Sequence, residues 1–136
     1  MIKVIASDMD GTLLGEDHKI APETLSAIKE ACDAGIRFMI CTGRNFPGAM
    51  NELEGADLTC DYIVGSGAEV RDPRQQVVRS TAISPRLCRE IYETVRKYPI
   101  SVTFCTDGDD YRIGTEEEVE ESLIRQIQAF HLNQCR

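Results

Sequence analysis

Residues 2–12 read Ile-Lys-Val-Ile-Ala-Ser-Asp-Met-Asp-Gly-Thr, a β-branched apolar run that ends on two carboxylates one residue apart. The run from Ile2 to Ser7 has the length and composition of a buried parallel strand whose carboxyl end delivers Asp8. Asp8 and Asp10 would repel each other there unless a proton or cation sits between them. A hard divalent ion such as Mg2+ resolves that conflict, because it takes oxygen ligands and leaves room for a phosphate. One carboxylate can then bind metal and attack phosphorus while the other handles the leaving group's proton. Gly11 permits the tight turn between the two tasks.

Working outward, Leu25, Ile28 and Cys32 recur at helical spacing between Pro22 and Ala34, with Pro22 at the start and Gly35 just past the end. A second strand is predicted at Arg37 to Cys41, a helix from Phe46 to Leu53, and a third strand from Asp61 to Val64. This alternation implies right-handed βαβ units and an α/β fold in which ligands lie beyond the carboxyl ends of the strands. After Gly65-Ser66-Gly67-Ala68, Glu69 to Arg71 and Gln76 to Thr81 flank Asp72-Pro73-Arg74 as a hairpin. A domain boundary is expected near Thr81, giving residues 1–80 and 81–136. Beyond it the pattern predicts a helix over Pro85 to Tyr98, strands at Ser101 to Thr106 and Tyr111 to Ile113, and a last helix over Glu116 to Phe130.

Alone, Asp-x-Asp-Gly also reads as a strand ending in a turn. It does not fit a calcium-binding EF-hand loop, which needs glycine sixth and glutamate twelfth where this chain has glycine fourth and Lys19 twelfth. The second element, Cys41-Thr42-Gly43-Arg44-Asn45, follows the next strand and opens a helix. It brings a hydroxyl, backbone N–H groups and a guanidinium to the same sheet edge, as a phosphate site requires. The pair of elements favours phosphoryl transfer over the turn.

With both elements in hand, the whole chain resembles the haloacid dehalogenase superfamily, in its Cof-like branch with a cap of C2 type. Asp8-Met9-Asp10-Gly11-Thr12-Leu13-Leu14 looks like that family's first motif and Thr42-Gly43-Arg44 its second. Gly65-Ser66-Gly67-Ala68 resembles the segment before the cap, with Ser66 in place of the usual Asn. The resemblance implies a Rossmann-like three-layer core around a parallel sheet, its N-terminal part in residues 1–80, and a partial α/β cap in 81–136. It implies a Mg2+-dependent phosphatase of small phosphorylated metabolites such as sugar phosphates. Asp8 would form the aspartyl-phosphate and bind metal through its carboxylate. Asp10 would act as acid and then base and lend its carbonyl to the metal. Met9, Gly11, Thr12, Thr42, Gly43 and Arg44 would hold the phosphoryl group or the substrate. A phosphomutase, or a non-catalytic phosphate- or metal-binding module, uses the same parts.

Family members continue with a lysine and an acidic pair that completes the metal shell, so this chain by itself is expected to be weak or inactive. Asp107-Gly108-Asp109-Asp110 reads as a hairpin turn between short strands and is given no catalytic role. In the family the first strand lies mid-sheet, so in this shorter chain its far edge is expected to be unpaired and its apolar faces partly uncovered, inviting pairing with a second copy. A net charge of −8 without a Lys/Arg-dense stripe argues against nucleic acid or an anionic membrane as partner. No apolar run approaches the roughly 20 residues of a membrane span. The six cysteines form no Cys-x-x-Cys pair and read as reduced thiols of a cytoplasmic protein with no leader. His18 is expected in a flap after the first motif, His131 at a helix end, and Glu116 to Glu121 on a solvated helix face.

Overall fold

A computed structural model describes residues 1–98, 100, 102–106 and 110–113. The expected final helix with its acidic run and His131, and the turn residues Asp107, Gly108 and Asp109, lie outside the described residues. The chain divides after Thr81 into two compact units.

The first unit holds a five-stranded sheet in sequence order, β1 (Val4–Asp8), β2 (Arg37–Cys41), β3 (Asp61–Val64), β4 (Glu69–Arg71) and β5 (Val77–Ser80). The first three strands are parallel, with Ser7 beside Ile40 and Ile40 beside Tyr62, whereas β4 and β5 return antiparallel as a hairpin. The crossovers are α1 (Pro22–Asp33) and α2 (Phe46–Glu52). Proline occupies the first turn of each, where its missing N–H costs nothing. Asn45 caps α2 by accepting the Gly48 N–H at 2.8 Å.

Both helices pack on one face of the sheet, because two right-handed crossovers that step the same way along a sheet put their helices on the same side. Phe38, Ile40, Tyr62 and Val64 line that face and form one core with Ile28 of α1 and Ala49 and Leu53 of α2. The opposite face, with Met39, Cys41 and Ile63 half-buried, carries no helix among the described residues of this unit. Two of the three expected layers are therefore seen in these residues.

The buried strand read from the apolar run alone needs correction, whereas the partly uncovered faces expected of a first strand left at an edge are seen. β1 is parallel, yet Val4 is 47% and Ile5 37% exposed. Among the described residues only β2 pairs with it, so an edge position leaves its side chains in water despite their apolar character. Farther along, Asp61 is buried and accepts the Arg37 guanidinium, Nε to Oδ2 at 3.0 Å, which ties the start of β3 to β2.

The second unit contains α3 (Pro85–Val95), capped by Ser84, and the antiparallel pair β6 (Val102–Cys105) and β7 (Asp110–Ile113). α3 stops three residues short of the expected Tyr98. Its last turn tightens, with Tyr98 donating to Val95 O at 3.0 Å, and the following Pro99 disfavours helical backbone at Tyr98.

Candidate active site

The carboxyl ends of β1, β2 and β3 give rise to three loops, and these build the site. After β1, Asp8 has extended backbone (φ −66°, ψ 159°) and residues Met9–Leu13 form a π-type turn interrupted at Asp10 and Gly11. Gly11 at φ 71° lies in the left-handed region, where an L side chain would be strained. The turn is anchored from below: Met9 is fully buried, Leu13 and Leu14 nearly so, and the Leu14 N–H closes it on Met9 O at 2.9 Å. Met9 can therefore offer a ligand only its backbone, while Asp8, Asp10 and Thr12 stand exposed.

After β2, Thr42 is buried, its N–H donating to Ile63 O at 2.9 Å and its Oγ1 accepting the Arg44 N–H at 3.2 Å. After β3, the Gly65 N–H donates to Arg44 O at 2.7 Å and the Ser66 N–H to Thr42 O at 3.1 Å. These bonds fasten the second and third loops to each other. Gly43 lies against the Ser66 hydroxyl: a Cβ added to it would meet Oγ at 3.4 Å.

An open cleft of about 300 Å³ lies at this edge, lined by Asp8, Cys41, Thr42, Gly43, Ile63, Ser66 and Gly67. It gathers three of the expected site residues, Asp8, Thr42 and Gly43. Cys41, Ser66 and Gly67 also line it, and the sequence reading gave them no role there. Burial, and then the charge of Asp8, push the Cys41 thiol above its ordinary pKa. This wall sits in a low-dielectric setting that already feels the carboxylate.

Arg44 and Asp10 are placed differently. The guanidinium grips Asp10 with Nε to Oδ2 at 2.9 Å and Nη2 to Oδ1 at 2.8 Å, while Nη1 bonds Glu52 Oε1 at 2.8 Å. His18 stands 3.7 Å from the other Glu52 oxygen. The hydrogen bonds from Arg44, reinforced by its charge, hold the Asp10 carboxyl below the usual range, and the pairing raises the guanidinium pKa in return. Arg44 is thus engaged with two carboxylates of this chain and does not line the cleft. Glu52 is the residue of this network that sequence reasoning missed. It sits at the end of α2, eight residues after Arg44, where spacing alone gave no signal.

An exposed carboxylate lining a cleft beside hydroxyl-bearing residues suits a hard cation, so Asp8 fits one side of a magnesium site. Among the described residues no group of three or more His, Cys, Asp or Glu side chains converges on an ion. These residues supply part of a shell.

A model of haloacid dehalogenase-like hydrolases matches residues 5–135. An HMP-PP phosphatase of Serratia proteamaculans (strain 568) is 33% identical over 94 residues, which make up 69% of this chain and 34% of that protein. A phosphatase of the same superfamily from Bacteroides thetaiotaomicron superposes with a TM-score of 0.73 at 28% identity, over 94% of this chain and 47% of that one. A haloacid dehalogenase-like hydrolase from B. subtilis has the same fold, with a TM-score of 0.76 at 22% identity over 98% of this chain and 52% of that one. The chain thus spans about a third of the length of that curated relative and about half of each solved structure.

Proposed function

The chain belongs to the haloacid dehalogenase-like hydrolases, and from that premise we propose that it carries the nucleophile half of a phosphatase acting on small phosphorylated metabolites, sugar phosphates among them. One observation carries the reading: Asp8 lines the same cleft as Thr42 and Gly43. The similarity to an HMP-PP phosphatase supports a small phosphorylated substrate.

In this reading an Asp8 oxygen attacks phosphorus, the bond to the leaving oxygen breaks, and that oxygen takes a proton from Asp10. Water then attacks the aspartyl-phosphate, Asp10 takes a proton back, and inorganic phosphate leaves. Met9, Gly11 and Thr12 shape the turn that holds the two carboxylates apart, and Thr42 and Gly43 orient the phosphoryl oxygens. Asp8, with the Asp10 carbonyl, would hold Mg2+, which when bound offsets phosphoryl charge. Asp10 can donate a proton only after Arg44 lets go, because an acid held ionised by a guanidinium has none to give. A substrate phosphate competing for Arg44 would do this, and would give Arg44 its role in recognition.

The purified chain should be assayed with magnesium chloride and a panel of phosphorylated metabolites beside Asp8→Asn. Slow phosphate release that disappears in the variant is the expected result. Equal release by both proteins would sink the reading.

The open edge of β1 supports a second reading, in which the chain associates with a copy of itself through Ile2, Val4 and Ile5, exposed by 68, 47 and 37%. A strictly monomeric mass by light scattering at high concentration would count against it. The cytoplasm suits a chain in which, among the described residues, Cys32, Cys41, Cys60 and Cys88 are free thiols. No helix among the described residues is long and apolar enough to cross a membrane.

A further inference from the structure

Ser66 is the one non-glycine residue in a run of left-handed backbone, at φ 55° between Gly65 at φ 58° and Gly67 at φ 92°. An L side chain in that conformation is disfavoured, and such positions persist where the surrounding structure over-determines them. Here the surroundings do so: the Ser66 N–H is fixed on Thr42 O, and the Gly65 N–H on Arg44 O, so the loop cannot relax without releasing the loop after β2. A third glycine would meet the same backbone demand with less strain. What serine adds is a hydroxyl.

Ser66 lines the cleft with Asp8, Thr42 and Gly43, and its hydroxyl has no hydrogen-bond partner among the described residues. Thr42 differs, since its oxygen already accepts the Arg44 N–H. The Ser66 oxygen also abuts Gly43, whose own N–H has no acceptor among the described residues. Two neighbouring residues that line the cleft with Asp8 thus carry a hydroxyl and an amide with no partner among the described residues, and both groups can donate to an anionic oxygen.

We propose that Ser66 is a substrate-binding residue, its hydroxyl donating beside the Gly43 N–H to an oxygen of the phosphoryl group. This rests on the reading of the cleft as a phosphate site, and it adds a third-loop ligand to those of the first two loops.

The test uses the whole chain, 15N-labelled, titrated with inorganic phosphate in magnesium chloride and followed through its amide resonances, for the native sequence, Ser66→Gly and Ser66→Asn. Phosphate should move the Gly43 and Ser66 amides of the native chain. Ser66→Gly should bind phosphate about tenfold more weakly or worse, the size of one hydrogen bond to a charged group, while its melting temperature stays level or rises. Ser66→Asn, which tolerates the left-handed region and restores a donor, should recover most of the loss. Undiminished binding by Ser66→Gly would overturn the proposal, as would a loss that tracks a lower melting temperature and is not recovered by asparagine. If phosphate leaves the cleft amides of the native chain unmoved, the phosphate reading of the cleft fails first, and this proposal fails with it.

Discussion

β1 and β3 are both short apolar strands in one sheet, and they end at the same edge, yet their side chains live in different solvents. Of the β3 residues Asp61, Tyr62, Ile63 and Val64, three are buried and Ile63 is half-buried, whereas four of five residues in β1 are exposed. The difference lies in neighbours. β3 is flanked by β2 and β4, and its helix-facing side lies in the core shared with α1 and α2, while among the described residues β1 has a partner on one side only. Composition marks a segment as a strand, but its place in the sheet decides how much apolar surface leaves the water.

The comparison can be broken most forcefully in its core. Ile40→Ala, beside Tyr62, should cost about 3 kcal/mol in urea unfolding, whereas Ile5→Ala should cost less than about 1 kcal/mol. Comparable losses would mean that β1 is covered in solution. A smaller effect is expected at the other end of β3, where Asp61→Ala removes the acceptor of the Arg37 guanidinium. Because Arg37 itself is largely exposed and can rehydrate, about 1.5 kcal/mol should be lost. Val4→Lys should alter stability by no more than about 0.5 kcal/mol, yet abolish any self-association seen by light scattering, since a lysine on an open edge blocks strand pairing.

Another small effect concerns the loop that β1 delivers. Asp10 is held below the ordinary carboxyl value of 3.8 in the folded chain, so on acidification the unfolded chain takes up its proton first. The pair's contribution should be complete above pH 3.8 and fade as the pH falls through the folded value. It should amount to less than about 1 kcal/mol because the pair is partly exposed. Arg44→Met should flatten that part of the pH profile.

Much of this was legible from the residues. Pro22, Gly35 and the 3.6-residue spacing of Leu25, Ile28 and Cys32 mark α1, and the carboxylates after Ser7 and the hydroxyl after Cys41 lie at the sheet edge where an α/β fold puts ligands. The exposure of β1 was not legible in its own apolar residues, because burial depends on which strands lie alongside. The grip of Arg44 on Asp10 and Glu52 was not legible either. It joins residues 34 positions apart and is chosen by side-chain geometry that no local pattern encodes. Ser66 stood out as a departure from asparagine, but its place on the cleft wall follows from two backbone bonds to the neighbouring loop.

The edge-on contact of Phe46 with Tyr62, ring centroids 5.5 Å apart and with the Arg71 guanidinium 4.1 Å from the Phe46 centroid, has a spectroscopic consequence. The chain has no tryptophan and four tyrosines, of which Tyr62 alone belongs to the first unit. A buried ring in a fixed, asymmetric setting gives a near-ultraviolet dichroism that a solvent-exposed ring lacks. Tyr62→Phe would therefore delete the first unit's tyrosine signal and leave the other three, so the melting of the two units can be followed separately with no added probe.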